Sequence, residues 1–327
     1  MVTIIAVLLG CTASAQNKWI TGHAPARNRI SESTIMEKVE YLTNDICEGR
    51  GTGTRGSVEV AGWIARNFEK IKLLKNNGNY YQRFQTKKGV WGTNVIGFLP
   101  GSTKTSRNKY IIVGAHFDHL GQIDSTIYPG ADSNASGTAA MMSLAEMFAA
   151  MRLCGKTWES NIIFVGFDAN GHDLAGSKAF WKMIEQGRLI DPISGARIKK
   201  SMITLMANID QIGCTLSPLR SGREDYIIML GNHSLDTNRQ ERLEMCNKLY
   251  KLNMEISHSY YGSENFTNMF YRLSDQRVFI DNGIPAVMFT SGITMNNNKT
   301  RDKATSLNYP ILKKRIYLIY HWLEKML

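Results

Sequence analysis

The stretch KYIIVGAHFDHLG, residues 109–121, decides how the rest of the chain is read. Tyr110 to Ala115 is an unbroken apolar run, as in a strand covered on both faces, and it breaks at once into His116, Asp118 and His119. A strand buried on two sides needs helices above and below it. Further runs of this type are NIIFVGF at 161–167, MITLMANI at 202–209 and IPAVMFT at 284–290, with TNVIGFL at 93–99 as another strand. Helical spacing appears in TIMEKVEYLTNDI (34–46), GSVEVAGWIARNFEKIK (56–72), the Ala- and Met-rich NASGTAAMMSLAEMFAAM (134–151) and GSKAFWKMIEQG (176–187), where Ser177 is expected to cap the helix. It returns in TNRQERLEMCNKLYKL (237–252) and YPILKKRIYLIYHWLEKM (309–326). Apolar strands alternating with helices predict an α/β fold whose sheet is covered on both faces.

Composition sets wider bounds. At 327 residues, with 43% hydrophobic and 20% charged residues, the chain is ordinary for a globular protein and can form one large core. Its net charge of +11 comes from Lys and Arg in twos and threes, as in KTSRNK, RIKK and LKKR, without an interleaved aromatic stripe. That pattern is a solvated basic surface, and no nucleic-acid partner is expected. The opening MVTIIAVLLGCTASAQ, residues 1–16, reads as a secretory signal peptide that lacks a basic start. Leu8 to Cys11 also matches a lipoprotein box, which would make Cys11 a lipid anchor. Either way the protein is expected to be exported, periplasmic or secreted, and no later run reaches the ~18 apolar residues of a membrane helix. Cys47, Cys154, Cys214 and Cys246 have no paired spacing, and their disulfide status stays open.

In open α/β sheets, ligands gather beyond the carboxyl ends of the strands. Here those ends carry polar groups: His116, Asp118 and His119; Asp168, Asn170, His172 and Asp173; Asp210; and TMNNNKTRD at 294–302. Asp132 lies in the loop YPGADSNASG ahead of a helix. Imidazole and carboxylate side chains from independent strand ends suit zinc, with Asp118 placed to hold the His116 tautomer.

The segments NDICEGRGTGTRGS, TNVIGFLPGS, YIIVGAHFDHLG, YPGADSNASGTAA, NIIFVGFDANGHDLAGS, ANIDQIG and NGIPAVMFTSG, in this order, resemble family 28 of the metallopeptidases. These are zinc exopeptidases similar to bacterial leucyl aminopeptidase, and the family also includes glutaminyl cyclases. The resemblance runs from about residue 34 to 312 and implies a single α/β domain, over 34–327, with a mostly parallel central sheet. It also implies two zinc ions bridged by one aspartate. On that pattern Asp132 resembles the bridging ligand, His116 and Asp210 the remaining ligands of one zinc, and Asp118 the residue that orients His116.

The chain departs from the pattern around the second metal. Asn170 stands where the family has its general base, Gly171 and Asn298 where it has second-metal ligands, and Gln276 where histidine is common. His172 could substitute as a ligand if the loop shifts by one residue. Loss of a positioned base typically costs ~10² to 10⁴ in rate. The expectation is one zinc, with the second absent or loosely held, and slow aminopeptidase-like cleavage of a peptide or protein N-terminus. The alternative is an inactive pseudopeptidase that binds peptide termini or a partner protein. A glutaminyl cyclase would need the Gly171 and Asn298 positions for its zinc, and no GxSxG elbow supports a serine hydrolase.

Overall fold

The computed structural model describes residues 24–27, 29–101 and 108–327, so the expected signal segment and Cys11 lie outside the described residues. Among the described residues there are ten strands: β1 Tyr81–Gln85, β2 Trp91–Leu99, β3 Tyr110–His116, the short hairpin β4 Gln122–Ile123 and β5 Thr126–Ile127, β6 Asn161–Phe167, β7 Ile203–Ile209, β8 Tyr226–Leu230, β9 Glu255–Ser257 and β10 Ala286–Thr290. Eight of them form one sheet in the order β1-β2-β6-β3-β7-β10-β8-β9. The four central strands are parallel to one another, β2 and β8 join them antiparallel, and β1 runs antiparallel to β2. The expected α/β domain with a mostly parallel sheet is what the chain forms.

The principal helices are α1 Glu32–Thr43, α2 Arg55–Lys70, α3 Gly137–Leu153, α4 Ala175–Glu185, α5 Arg242–Leu249, α6 Glu264–Tyr271, α7 Gln276–Asp281 and α8 Tyr309–Met326. Alternation along the strands sorts the core into two layers. Ile111, Val113 and Ala115 of β3 face one cluster with α1, α2, α3 and α8, whereas Tyr110 and Ile112 face another with Phe180 and Trp181 of α4 and Phe279 of α7. Each buried side chain of this size stabilises the fold by roughly 1.5–3 kcal/mol.

Several boundaries differ from the sequence expectation. Ser177 lies inside α4, with Leu174 at the cap position, and its hydroxyl bonds back to the Leu174 carbonyl at 3.2 Å. The expected helix at 237–252 is split, because Glu241 interrupts it between Thr237–Gln240 and α5. The four cysteines Cys47, Cys154, Cys214 and Cys246 are all free thiols. Among the described residues, no helix is long and apolar enough to cross a membrane.

One buried cation ties the loops at the carboxyl end of the sheet together. Arg50 is fully buried and donates to four carbonyl oxygens: Nε to Phe117 at 2.7 Å, Nη1 to Leu42 at 2.6 Å and Pro129 at 2.7 Å, and Nη2 to Gly130 at 2.8 Å. Gly130 accepts this contact at φ 56°, where an added Cβ would lie 2.4 Å from the His119 ring. Removing the guanidinium strands four desolvated carbonyls, so Arg50→Met is expected to cost roughly 3–5 kcal/mol or prevent folding. Arg50→Lys, which keeps the charge but fewer donors, should fall between. Urea denaturation midpoints would measure this order, and a Met variant as stable as the parent would contradict it.

Candidate functional site

The strand ends open into a crevice of about 340 Å³ walled by His116, Asp118, Ser133, Asn170, Gly171, Asp210 and Asn298, with Tyr260, Phe270 and Met288 on an apolar side. His116 ends β3, and Asp210 follows the neighbouring strand β7. Asn134 locks the two ends together: its Nδ2 donates to the carbonyls of His116 (3.2 Å) and Ile209 (2.9 Å), while its Oδ1 accepts from the amides of Gly137 and Gln211. Thr138 adds a hydroxyl to the His116 carbonyl at 2.9 Å.

This clamp brings His116 Nε2 to 3.4 Å from Asp210 Oδ1, and His116 Nδ1 to 3.5 Å from Asp118 Oδ1. The His116–Asp210 approach is an ion pair and not an aligned hydrogen bond, since Asp210 Oδ1 accepts none. Burial disfavours the imidazolium, but Asp210 and Asp118 outweigh it and raise the His116 pKa well above the usual value. Burial likewise works against the Asp210 carboxylate, and the His116 charge overcomes it. His119, nearby in the wall, is pushed down to about 3 by burial and by the Arg50 charge, so it is neutral.

Asp118 has a second task. Its Oδ1 accepts from the Asn170 amide at 3.0 Å and its Oδ2 from the Gly171 amide at 3.3 Å. The loop after β6 is therefore anchored through its backbone. Asp168 fixes the root of that loop, its carboxylate accepting from Thr52 Oγ1, Ser57 Oγ and the amides of Thr93 and Ala169. Burial and the neighbouring Asp118 raise Asp168 to about 7.

The sequence-derived residues are only partly gathered. His116, Asp118, Asn170, Gly171, Asp210 and Asn298 all reach the crevice wall. Asp132, expected as the bridging ligand, does not: its Oδ1 accepts from Gly213 N at 2.7 Å and Ser136 Oγ at 3.1 Å, beside Cys214 and Arg315, and the next residue, Ser133, takes the place in the wall. The cause lies in the backbone, because Asp302 grips the amides of Asp132 (2.8 Å) and Ser133 (3.2 Å) and sets which side chain turns outward. His172 faces a different groove, with Asp173 and Lys178. Gln276 is buried under the sheet, bonded to Asn208 Nδ2 at 2.8 Å.

Two residues that matter here were missed by sequence reasoning. Asp302 closes the polar segment 294–302, and nothing in its sequence signals that it binds the amides of Asp132 and Ser133. Asp275, next to Gln276, is fully buried, and its Oδ2 accepts from Asn170 Nδ2 at 3.2 Å.

A protein-bound zinc needs three or four nitrogen, oxygen or sulfur donors converging on it. Among the described residues, no three His, Cys, Asp or Glu side chains are so arranged. The His116–Asp210 pair supplies two, Ser133 and Asn298 bring no charge, and Gly171 brings no side chain. The donor set does not fit a zinc centre.

Comparison with known proteins gives consistent results. The model of Peptidase family M28 matches residues 94–323. Leucine aminopeptidase 1 of Ajellomyces capsulatus is 27% identical over 128 residues, which is 38% of this chain and 32% of that relative. The match thus spans about a third of the relative. Among solved structures, the LapA aminopeptidase of Legionella pneumophila superposes with a TM-score of 0.69 at 17% identity, covering 93% of this chain and 74% of the other. A zinc aminopeptidase from Bacillus subtilis gives 0.66 at 12% identity, with 90% and 95% coverage. Porphyromonas gingivalis glutaminyl cyclase gives 0.66 at 13% identity, with 91% and 99% coverage.

Burial, offset in part by the His116 charge, raises Asp275 from 3.8 to about 6. Between those values the folded chain holds a proton that the unfolded chain has released. The contribution of this group to stability is therefore largest in acid and declines as pH rises from about 4 to about 6. Asp275→Asn removes that decline. Melting temperatures across this range should show a flatter pH profile for the variant, and parallel profiles would contradict the assignment.

Proposed function

The chain belongs to peptidase family M28, and from that premise we propose that it is a peptide-terminus-binding member whose crevice holds an N-terminal segment without efficiently hydrolysing it. The observation that carries this reading is the His116–Asp210 ion pair at 3.4 Å, formed where no third donor joins it. Zinc is the metal that the family and its relatives suggest, but the wall lacks the donors to hold it. At the general-base position, Asn170 is an amide without a useful pKa, and it is tied to Asp275.

What remains in the crevice suits binding. Asp210 Oδ1 is buried without a hydrogen-bond donor and can receive a peptide α-ammonium. Tyr260, Phe270, Leu273, Met288 and Ile293 form an apolar wall for the first side chain. A volume of about 340 Å³ accommodates a residue or two and not a folded surface.

The His116–Asp210 pair also supports a second reading, a slow hydrolase with one weakly held metal. A fluorescence titration of tetrapeptides, run beside turnover of aminoacyl 4-nitroanilides with and without added zinc, separates the two. Saturable binding that weakens at least about tenfold on N-acetylation, with turnover at the blank rate, is expected. Chelator-sensitive turnover that disappears in His116→Ala would overturn the binding reading. A further expectation follows from the wall: Ser133→Asp, Asn170→Glu, Gly171→Glu and Asn298→His combined should confer zinc-dependent turnover. An added side chain at Gly171 would meet only Asp118 Oδ2, at 4.0 Å.

A further inference from the structure

A second groove lies on the other side of the loop that follows β6. It has a volume of about 540 Å³ and runs between β1 and α4. Five cationic residues line it, Arg83, Lys87, Lys178, Lys182 and Arg188, with the Arg83 guanidinium lying over the Trp91 ring at 5.0 Å, on the outer face of the strand. Asp173 is the one carboxylate in its lining, and it is already shared by Lys178 at 2.7 Å and Lys87 at 3.1 Å. The groove therefore carries four more positive than negative charges, five minus one.

The strand beside it ends the sheet. Among the described residues, β1 pairs with β2 on one side only. Ile96 N donates to Tyr80 O and Thr86 N to Val90 O, each at 2.8 Å, which places the even-numbered residues in the bonded register. By strand alternation, Arg83 and Gln85 direct their backbone groups to the open side, as does the Tyr81 carbonyl, whereas the Tyr81 amide is taken by Asn79 Oδ1 at 3.0 Å. Edge strands of this kind invite an added strand, and basic side chains upon them repel a second copy of a chain that is itself basic. The same charges favour an anionic strand.

We propose that this groove docks an acidic, extended peptide segment of a partner protein, which adds to the β1 edge while its carboxylates meet Arg83, Lys87, Lys178, Lys182 and Arg188. The site is separate from the crevice. Gly171 faces the crevice and His172 faces the groove, so the loop between β6 and α4 forms a wall of both.

The test uses the full chain and a fluorescein-labelled, N-acetylated peptide of alternating Glu and Val, which has no free terminus for the crevice. Three competitors accompany it: the same sequence N-methylated at alternate amides, a single-stranded oligonucleotide of equal charge, and the uncharged Gln analogue. Saturable one-to-one binding is expected, weakened at least about tenfold by N-methylation and by Arg83→Glu with Lys182→Glu. Both substituted side chains are exposed, so melting temperatures should confirm that the variant is folded. Equal binding of the N-methylated peptide or the oligonucleotide would mean charge attraction without strand addition, and would overturn the proposal. So would unchanged affinity in a folded charge-reversed variant.

Discussion

The guanidinium of Arg50 is the constraint on which the crevice depends. A fixed, planar fork of donors is the only side chain that can satisfy four inward-turned carbonyls at once, and here those carbonyls belong to Leu42, Phe117, Pro129 and Gly130. Phe117 lies between His116 and Asp118, and Gly130 opens the turn that presents Ser133. Burial lowers Arg50 to about 10, which leaves it cationic at neutral pH without a direct carboxylate partner. A hidden positive charge thus underlies the acidic floor of the crevice.

Secondary anchors refine what Arg50 begins. Asn134 joins the ends of β3 and β7, Asp302 holds the amides of residues 131–133, and Asp118 holds the loop after β6. These groups set the layout of the crevice at the carboxyl end of the sheet. The polar side chains there bond mainly to backbone, and His116 stands between two carboxylates, Asp210 at 3.4 Å and Asp118 at 3.5 Å. The fold by itself does not fix the chemistry of such a site, which rests on the individual side chains in its wall.

Much of the fold was legible because burial on both faces writes continuous apolar runs into β2, β3, β6, β7 and β10, and because the period of α8 is strong from end to end. β1 was not legible: YQRFQ buries only Phe84 and looks like a polar loop. β8 could have been found, since YIIML is a five-residue apolar run, but it sits inside a polar stretch. At the site, the strand ends carry His116 and Asp210, which lie 3.4 Å apart. Which of two adjacent residues, Asp132 or Ser133, would face the crevice was not legible, because that choice is made by hydrogen bonds that their amides donate to Asp302, 169 to 170 positions away. The role of Arg50 was equally hidden, since its partners are backbone carbonyls that carry no sequence signal.

The central claim, that the crevice lacks the donors to retain zinc, is tested most directly by counting metal. Purified protein equilibrated with zinc and passed through gel filtration should emerge with substoichiometric metal, and His116→Ala should carry the same amount. One zinc or more per chain, retained through filtration and lost in His116→Ala, would contradict the account.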